Sequence, residues 1–231
     1  MLLYQPSSGY CFNSDSLFLY DFISSFKPRG RMLDVGAGCG IVGLLVARDY
    51  KRVELEAVEK QDVFAEFATI NARVNKIDYK LHKCNFLDLE VDEKYDYIVS
   101  NPPFYNSSST KSENEMIFNA RYNVNLPLKD FFKKVSQVLK PKSHFVFCYD
   151  ATHFGLICAE LDRVNMRVVD VAFVHPKKDR VASIVLVHAR NGSNAMMKVL
   201  PPVITFDGSE FSQKTQAIYD KAKTQSIKCQ L

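Results

Sequence analysis

The chain has 231 residues, 47% hydrophobic and 24% charged, which is enough for one good-sized core and makes a single domain over 1–231 the default. Its net charge of +4 and pI near 8.6 permit an acidic partner such as RNA, short of the strongly basic balance of a dedicated nucleic-acid domain. The first residues lack the basic and apolar regions of a leader, and Ile41–Ala47 stops at Arg48, well short of a membrane span. The six cysteines are scattered without a CxxC pair and the five histidines lack ligand spacing, so neither disulfides nor a metal is predicted. The expectation is a cytoplasmic protein, monomeric by default.

Residues 1–30 read as a lead-in with a helix, Ser14-Asp15-Ser16 serving as its N-cap or as a ligand contact. Strands are then predicted at Arg31–Val35, Val53–Glu59, Lys80–Asn85, Tyr95–Ser100 and His144–Tyr149. Between them, Gly40–Tyr50, Gln61–Asn75 and Leu126–Leu139 carry apolar residues at helical spacing, the last ending before Pro141. Such alternation predicts an α/β fold with a doubly wound parallel sheet. After a helix over Ala151–Asn165, Arg167–Pro176 and Ala182–Ala189 form two strands joined by Lys177–Arg180, an antiparallel hairpin. Residues 191–231 read as a tail with little periodicity and a short polar helix near Phe211–Thr224.

Met32-Leu-Asp-Val-Gly-Ala-Gly-Cys-Gly40 puts a strand, an acid and alternate glycines Gly36, Gly38 and Gly40 before a helix, a pattern that lets a ligand approach the backbone. Glu59 closes the next strand, about where an acid reaches a ribose diol. Gly38-Cys-Gly-Ile-Val-Gly43 also satisfies GxGxxG, with Glu59 near the offset of about 20 residues expected for NAD. Asp34 favours S-adenosylmethionine over NAD, since a carboxylate there repels a pyrophosphate but pairs, directly or through water, with a cationic amino-acid moiety.

Asn101-Pro102-Pro103-Phe104 follows the fourth strand on the carboxyl edge where open α/β sheets bind ligands. Each proline fixes its own φ and pushes the preceding residue into extended geometry. The Asn101 side-chain oxygen and the Pro102 carbonyl can then accept the two hydrogens of an exocyclic amine while Phe104 stacks on the base.

With these residues in place the chain resembles, over roughly residues 9–190, the class I S-adenosylmethionine-dependent methyltransferases that carry an NPPY-type motif and methylate planar amino groups. The resemblance implies a Rossmann-like, mostly parallel seven-stranded sheet with the antiparallel C-terminal hairpin. It also implies that Gly36, Gly38 and Gly40 surround the methionine part of the cofactor, with Glu59 on the ribose and Asn85 near the adenine. The segments from Tyr4 to Leu19 and from Val174 to Ser183 are similar to those of bacterial tRNA1(Val) adenine-N6 methyltransferases, which act on adenine 37 of an anticodon loop. Under that resemblance tRNA is the partner and Tyr105 and Arg121 are substrate contacts, while the basic turn residues Lys177, Lys178 and Arg180, together with Lys111 or Arg121, can supply phosphate contacts. Two departures stand out: Phe104-Tyr105 replaces the commoner Tyr-Phe order, and Ala120-Arg121-Tyr122-Asn123 lacks the acidic residue that is typical after the arginine. A protein-glutamine methyltransferase, an rRNA guanine-N2 methyltransferase and an inactive cofactor-binding module are the competing readings.

Overall fold

A computed structural model describes residues 1–8, 11–102 and 127–230. In chain order the elements are β1 (Leu2–Pro6), α1 (Ser14–Ser24), β2 (Gly30–Val35), α2 (Ile41–Asp49), β3 (Val53–Val58), α3 (Asp62–Val74), β4 (Lys80–His82) and β5 (Tyr95–Ser100). They continue with α4 (Leu128–Val138), β6 (Leu139–Asp150), α5 (Phe154–Arg163), β7 (Met166–His175) and β8 (Ile184–Asn191). Last come the short strands β9 (Lys198–Val199), β10 (Val203–Ile204), β11 (Phe206–Asp207) and β12 (Glu210–Phe211), then α6 (Gln213–Ala222) and β13 (Gln225–Cys229).

Among the described residues the central sheet has the order β10-β7-β8-β6-β5-β2-β3-β4, with β9 also beside β7. Pairings are parallel from β4 through β6, and β8 runs antiparallel between β6 and β7. The mostly parallel, doubly wound sheet with its antiparallel strands is therefore as expected; β9 and β10 extend the expected seven strands to nine.

Helices cover both faces, so the central strands are apolar in continuous runs rather than alternating with polar residues. Successive side chains still point to opposite sides. Met32, Val99, Val146 and Cys148 join the core beneath α1 and α2, while Leu33, Ile98, Phe145 and Phe147 join that beneath α4 and α5.

Several boundaries differ from the sequence reading. The cap of α1 is Asn13, whose side chain accepts from the Asp15 amide, so Ser14 is already helical. β4 stops at His82, and Asn85 lies in the following turn, where its side chain caps the single 3-10 turn Phe86–Asp88. β6 begins at Leu139, and Pro141 is tolerated because the pairing jumps from Tyr95↔Leu139 to Tyr97↔His144, leaving the intervening residues out of the ladder. The stretch 191–231 is no loose tail: Ile218 and Ala222 of α6 are buried in the core and β13 pairs in parallel with β1.

Candidate functional site

The carboxyl ends of β2 and β3 open onto a cavity whose floor is the loop from Gly36 to Cys39. Gly36 and Gly38 have φ of +66° and +56°, a region L side chains avoid, and a Cβ on either would meet nothing within 4 Å. The space above them is free for a ligand. Gly40 plays another part: at φ +86° it precedes α2, and a Cβ there would come within 3.0 Å of Leu44, so it serves helix packing and does not line the cavity. Gly43 is equally constrained, since a Cβ would stand 2.9 Å from both Asp34 and Leu55.

Two buried carboxylates face this loop. Asp34 accepts from the Gly43 amide at 2.8 Å, and burial, reinforced by the charge of Glu59, pushes its carboxyl up to about 7 against that hydrogen bond. Glu59 accepts from the amides of Gly38 at 2.9 Å and Gln61 at 2.8 Å, and burial outweighs these donors to raise its pKa as well. Phe12, Val58, Phe64 and Phe86 supply apolar wall, with Asn85 beside them. A glycine floor with open space, a pair of buried acids and an aromatic wall fit a ligand that brings a cationic group, hydroxyls and a flat ring.

Asn101 lines the same cavity. Its Nδ2 donates to Ser16 Oγ at 3.1 Å and its Oδ1 accepts from Cys148 Sγ at 2.9 Å. Side-chain parity explains the meeting, because Val99 and Cys148 both point toward α1, so Asn101, two residues beyond Val99, points there too. Asn71, fully buried, links the glycine loop to β1 by donating to both Cys39 O at 2.9 Å and Tyr4 O at 3.0 Å.

The structure thus brings Asp34, Gly36, Gly38, Glu59, Asn85 and Asn101 to one cavity, with Pro102 buried next to Asn101. Phe104, Tyr105, Lys111 and Arg121 lie outside the described residues. Lys177, Lys178 and Arg180 are exposed in the β7–β8 turn; Lys177 and Arg180 line a separate groove on the same carboxyl edge. Sequence reasoning missed Phe12, Phe64, Asn71 and Cys148, and it left Ser16 between a cap and a ligand contact; Ser16 lines the cavity. Parity along β6 was the signal for Cys148; nothing local marked the others.

Residues 13–127 match the family model described as Methyltransferase small domain. A tRNA1(Val) (adenine(37)-N6)-methyltransferase of Porphyromonas gingivalis W83 is 28% identical over 117 residues, 48% of this chain and 46% of that protein. A Ribosomal RNA small subunit methyltransferase C of Photobacterium profundum is 32% identical over 94 residues, 41% of this chain and 27% of that protein. The chain thus aligns with about half or less of the length of these relatives. In structure it is similar to a predicted O-methyltransferase of Agrobacterium tumefaciens, with a TM-score of 0.70 at 16% identity, covering 92% of this chain and 99% of that one. Over residues 13–127, about half of its length, the chain thus matches the methyltransferase small domain family, and its fold is that of the class I S-adenosylmethionine-dependent methyltransferases.

Proposed function

We propose that the protein transfers a methyl group to the N6 amine of adenine in tRNA, at adenine 37 of the anticodon loop of tRNA1(Val). The observation that carries the reading is Asn101, whose amide is held between Ser16 and Cys148 at the mouth of the glycine-floored cavity. S-adenosylmethionine supplies the electrophilic methyl when bound. Glu59 would hold its ribose hydroxyls, Asp34 its cationic amino-acid end, and the Phe64–Asn85–Phe86 wall its adenine.

An exocyclic amine is a poor nucleophile because its lone pair is delocalised into the ring. An amide oxygen has two lone pairs, so Asn101 Oδ1 can accept from Cys148 and still take one amine hydrogen. With the Pro102 carbonyl accepting the other, the nitrogen is drawn toward tetrahedral geometry and its lone pair is aimed, with no deprotonating base required. Phe104 would hold the base plane. A loop adenine must first leave its stack, at a cost of about a few kcal/mol that contacts in the pocket offset. The similarity to a tRNA1(Val) adenine-N6 methyltransferase supports this choice; the similarity to an rRNA methyltransferase supports an rRNA acceptor, for which guanine N2 is our second reading.

The test uses tRNA from a strain lacking the gene, an isotope-labelled methyl donor and nucleoside analysis. Labelled N6-methyladenosine is expected, and Asn101→Ala should lower the rate by on the order of 10² to 10³ while cofactor binding survives. Label on guanine N2 or on a protein glutamine rejects the adenine assignment, and full activity of Asn101→Ala rejects the mechanism.

A further inference from the structure

The chain leaves β10 along the edge of β7, with Thr205 N donating to His175 O at 2.8 Å and Phe206 N to Pro176 O at 2.9 Å. These bonds zip the β11–β12 hairpin onto the basic β7–β8 turn. The hairpin carries two exposed aromatic rings, Phe206 at 36% and Phe211 at 38% exposure. They are not isolated. Phe206 stacks on Phe211 with centroids 5.3 Å apart, and Phe211 on Tyr219 of α6 at 4.8 Å, each pair inclined by 26°.

The result is a column of three rings, Tyr219–Phe211–Phe206, whose last member lines a groove with Lys177, Arg180 and Val181. Val181 is 87% exposed, so the apolar surface continues to the groove's rim. A flat ring entering here would extend the column by one more step, and cations beside it would meet the phosphates that such a ring carries in a polynucleotide. Asp207 and Glu210 on the hairpin itself leave the turn as the place for those phosphates. The groove lies on the same carboxyl edge as the cavity. It stands three strand spacings from β5 across β6 and β8, roughly 14 Å, within reach of nucleotides flanking a base in the cavity.

We propose that Phe206 is a stacking platform for an RNA base next to the target nucleotide, with Lys177 and Arg180 holding the adjoining phosphates. This rests on the RNA reading above and adds to it where the unreacted part of the loop is held.

The chain contains no tryptophan, so Phe206→Trp places the variant's single tryptophan at the platform, where its fluorescence can be excited apart from that of the tyrosines. Titration with unmodified tRNA from a strain lacking the gene should quench it saturably, and replacing Lys177 and Arg180 by alanine in the same background should weaken binding about tenfold and flatten its salt dependence. Phe206→Ala should raise KM for tRNA about tenfold with an unchanged Kd for S-adenosylmethionine, and Phe206→Tyr should restore it. Absence of quenching, with an unaltered KM in Phe206→Ala, overturns the platform while RNA methylation by the wild type continues. Failure of the wild type to bind or methylate any RNA overturns the RNA reading itself, and the platform with it.

Discussion

Asn101 owes its orientation to residues 85 and 47 positions away, Ser16 and Cys148, which converge on it only because α1 begins and β6 ends at the edge where β5 ends. A thiol is a weak donor, and a single hydrogen bond is worth about 1 kcal/mol net. Cys148→Ala should therefore lower kcat roughly fivefold with the cofactor Kd unchanged, whereas Cys148→Ser, which keeps a donor, should stay near wild type. Equal kcat in both variants would show that the thiol does not position the amide. Asp34 gives a second expectation, in pH. Its carboxyl is raised from 3.8 to about 7 chiefly by burial, so the folded state binds the proton more tightly than the unfolded one. That contribution to stability is complete below about pH 4 and is lost as pH rises through 7. Asp34→Asn cannot titrate, so its Tm relative to the wild type should climb between pH 4 and 7 and level off above; parallel Tm curves would contradict the assignment. Gly36, Gly38, Asp34, Glu59 and Asn101 were legible in the sequence because each stands at a strand end with a motif of its own, whereas the alternate spacing that marked Gly40 with them reports helix packing. Ser16 and Cys148 were not, since a serine in an N-terminal segment and a cysteine in an apolar run look like a cap and a core residue until the strand order is known.

At the scale of elements, α3 does more than cover the sheet. Asn71 and Asn75, one turn apart, each pair their side-chain amide with the backbone of β1. Asn71 Oδ1 accepts from Tyr4 N at 2.7 Å while its Nδ2 donates to Tyr4 O, and Asn75 does the same for Leu2, accepting at 3.0 Å and donating at 2.6 Å. The spacing works because helix residues four apart share a face and strand residues two apart share an edge. Asn71→Ala would strand the Tyr4 amide and two carbonyls in a buried setting, at a cost of about 2–4 kcal/mol read from the urea midpoint. A change below about 0.5 kcal/mol would show that water replaces the amide. Alternation of strand and helix was readable because periodicity is local. The early end of β4 and the early start of β6 were not: the first depends on Asn85 capping a turn, and the second on a slip in pairing that makes room for Pro141.

For the molecule as a whole, the doubly wound, mostly parallel sheet followed from the α/β pattern, but the pairing of β1 with β13 had no trace in the sequence, because two five-residue segments separated by more than two hundred residues share only their β-compatibility. Closing an unstructured loop of that length would cost about 5 kcal/mol, far more than so short a ladder returns. The pairing becomes affordable only once the core has already brought the two segments together. On a ribosome β1 is made more than two hundred residues before its partner, so in the interval its free edge is a place where another chain could add a strand. The asparagines of α3 occupy the opposite edge from the moment that helix packs, giving β1 a fixed seat while it waits. In native-state hydrogen exchange the amides of β13 should accordingly open well before those of β2 and β5, and the Leu2 and Tyr4 amides, held by Asn75 and Asn71, should outlast them; simultaneous exchange of β1 and β13 would mean that the last strand, not the helix, holds the first.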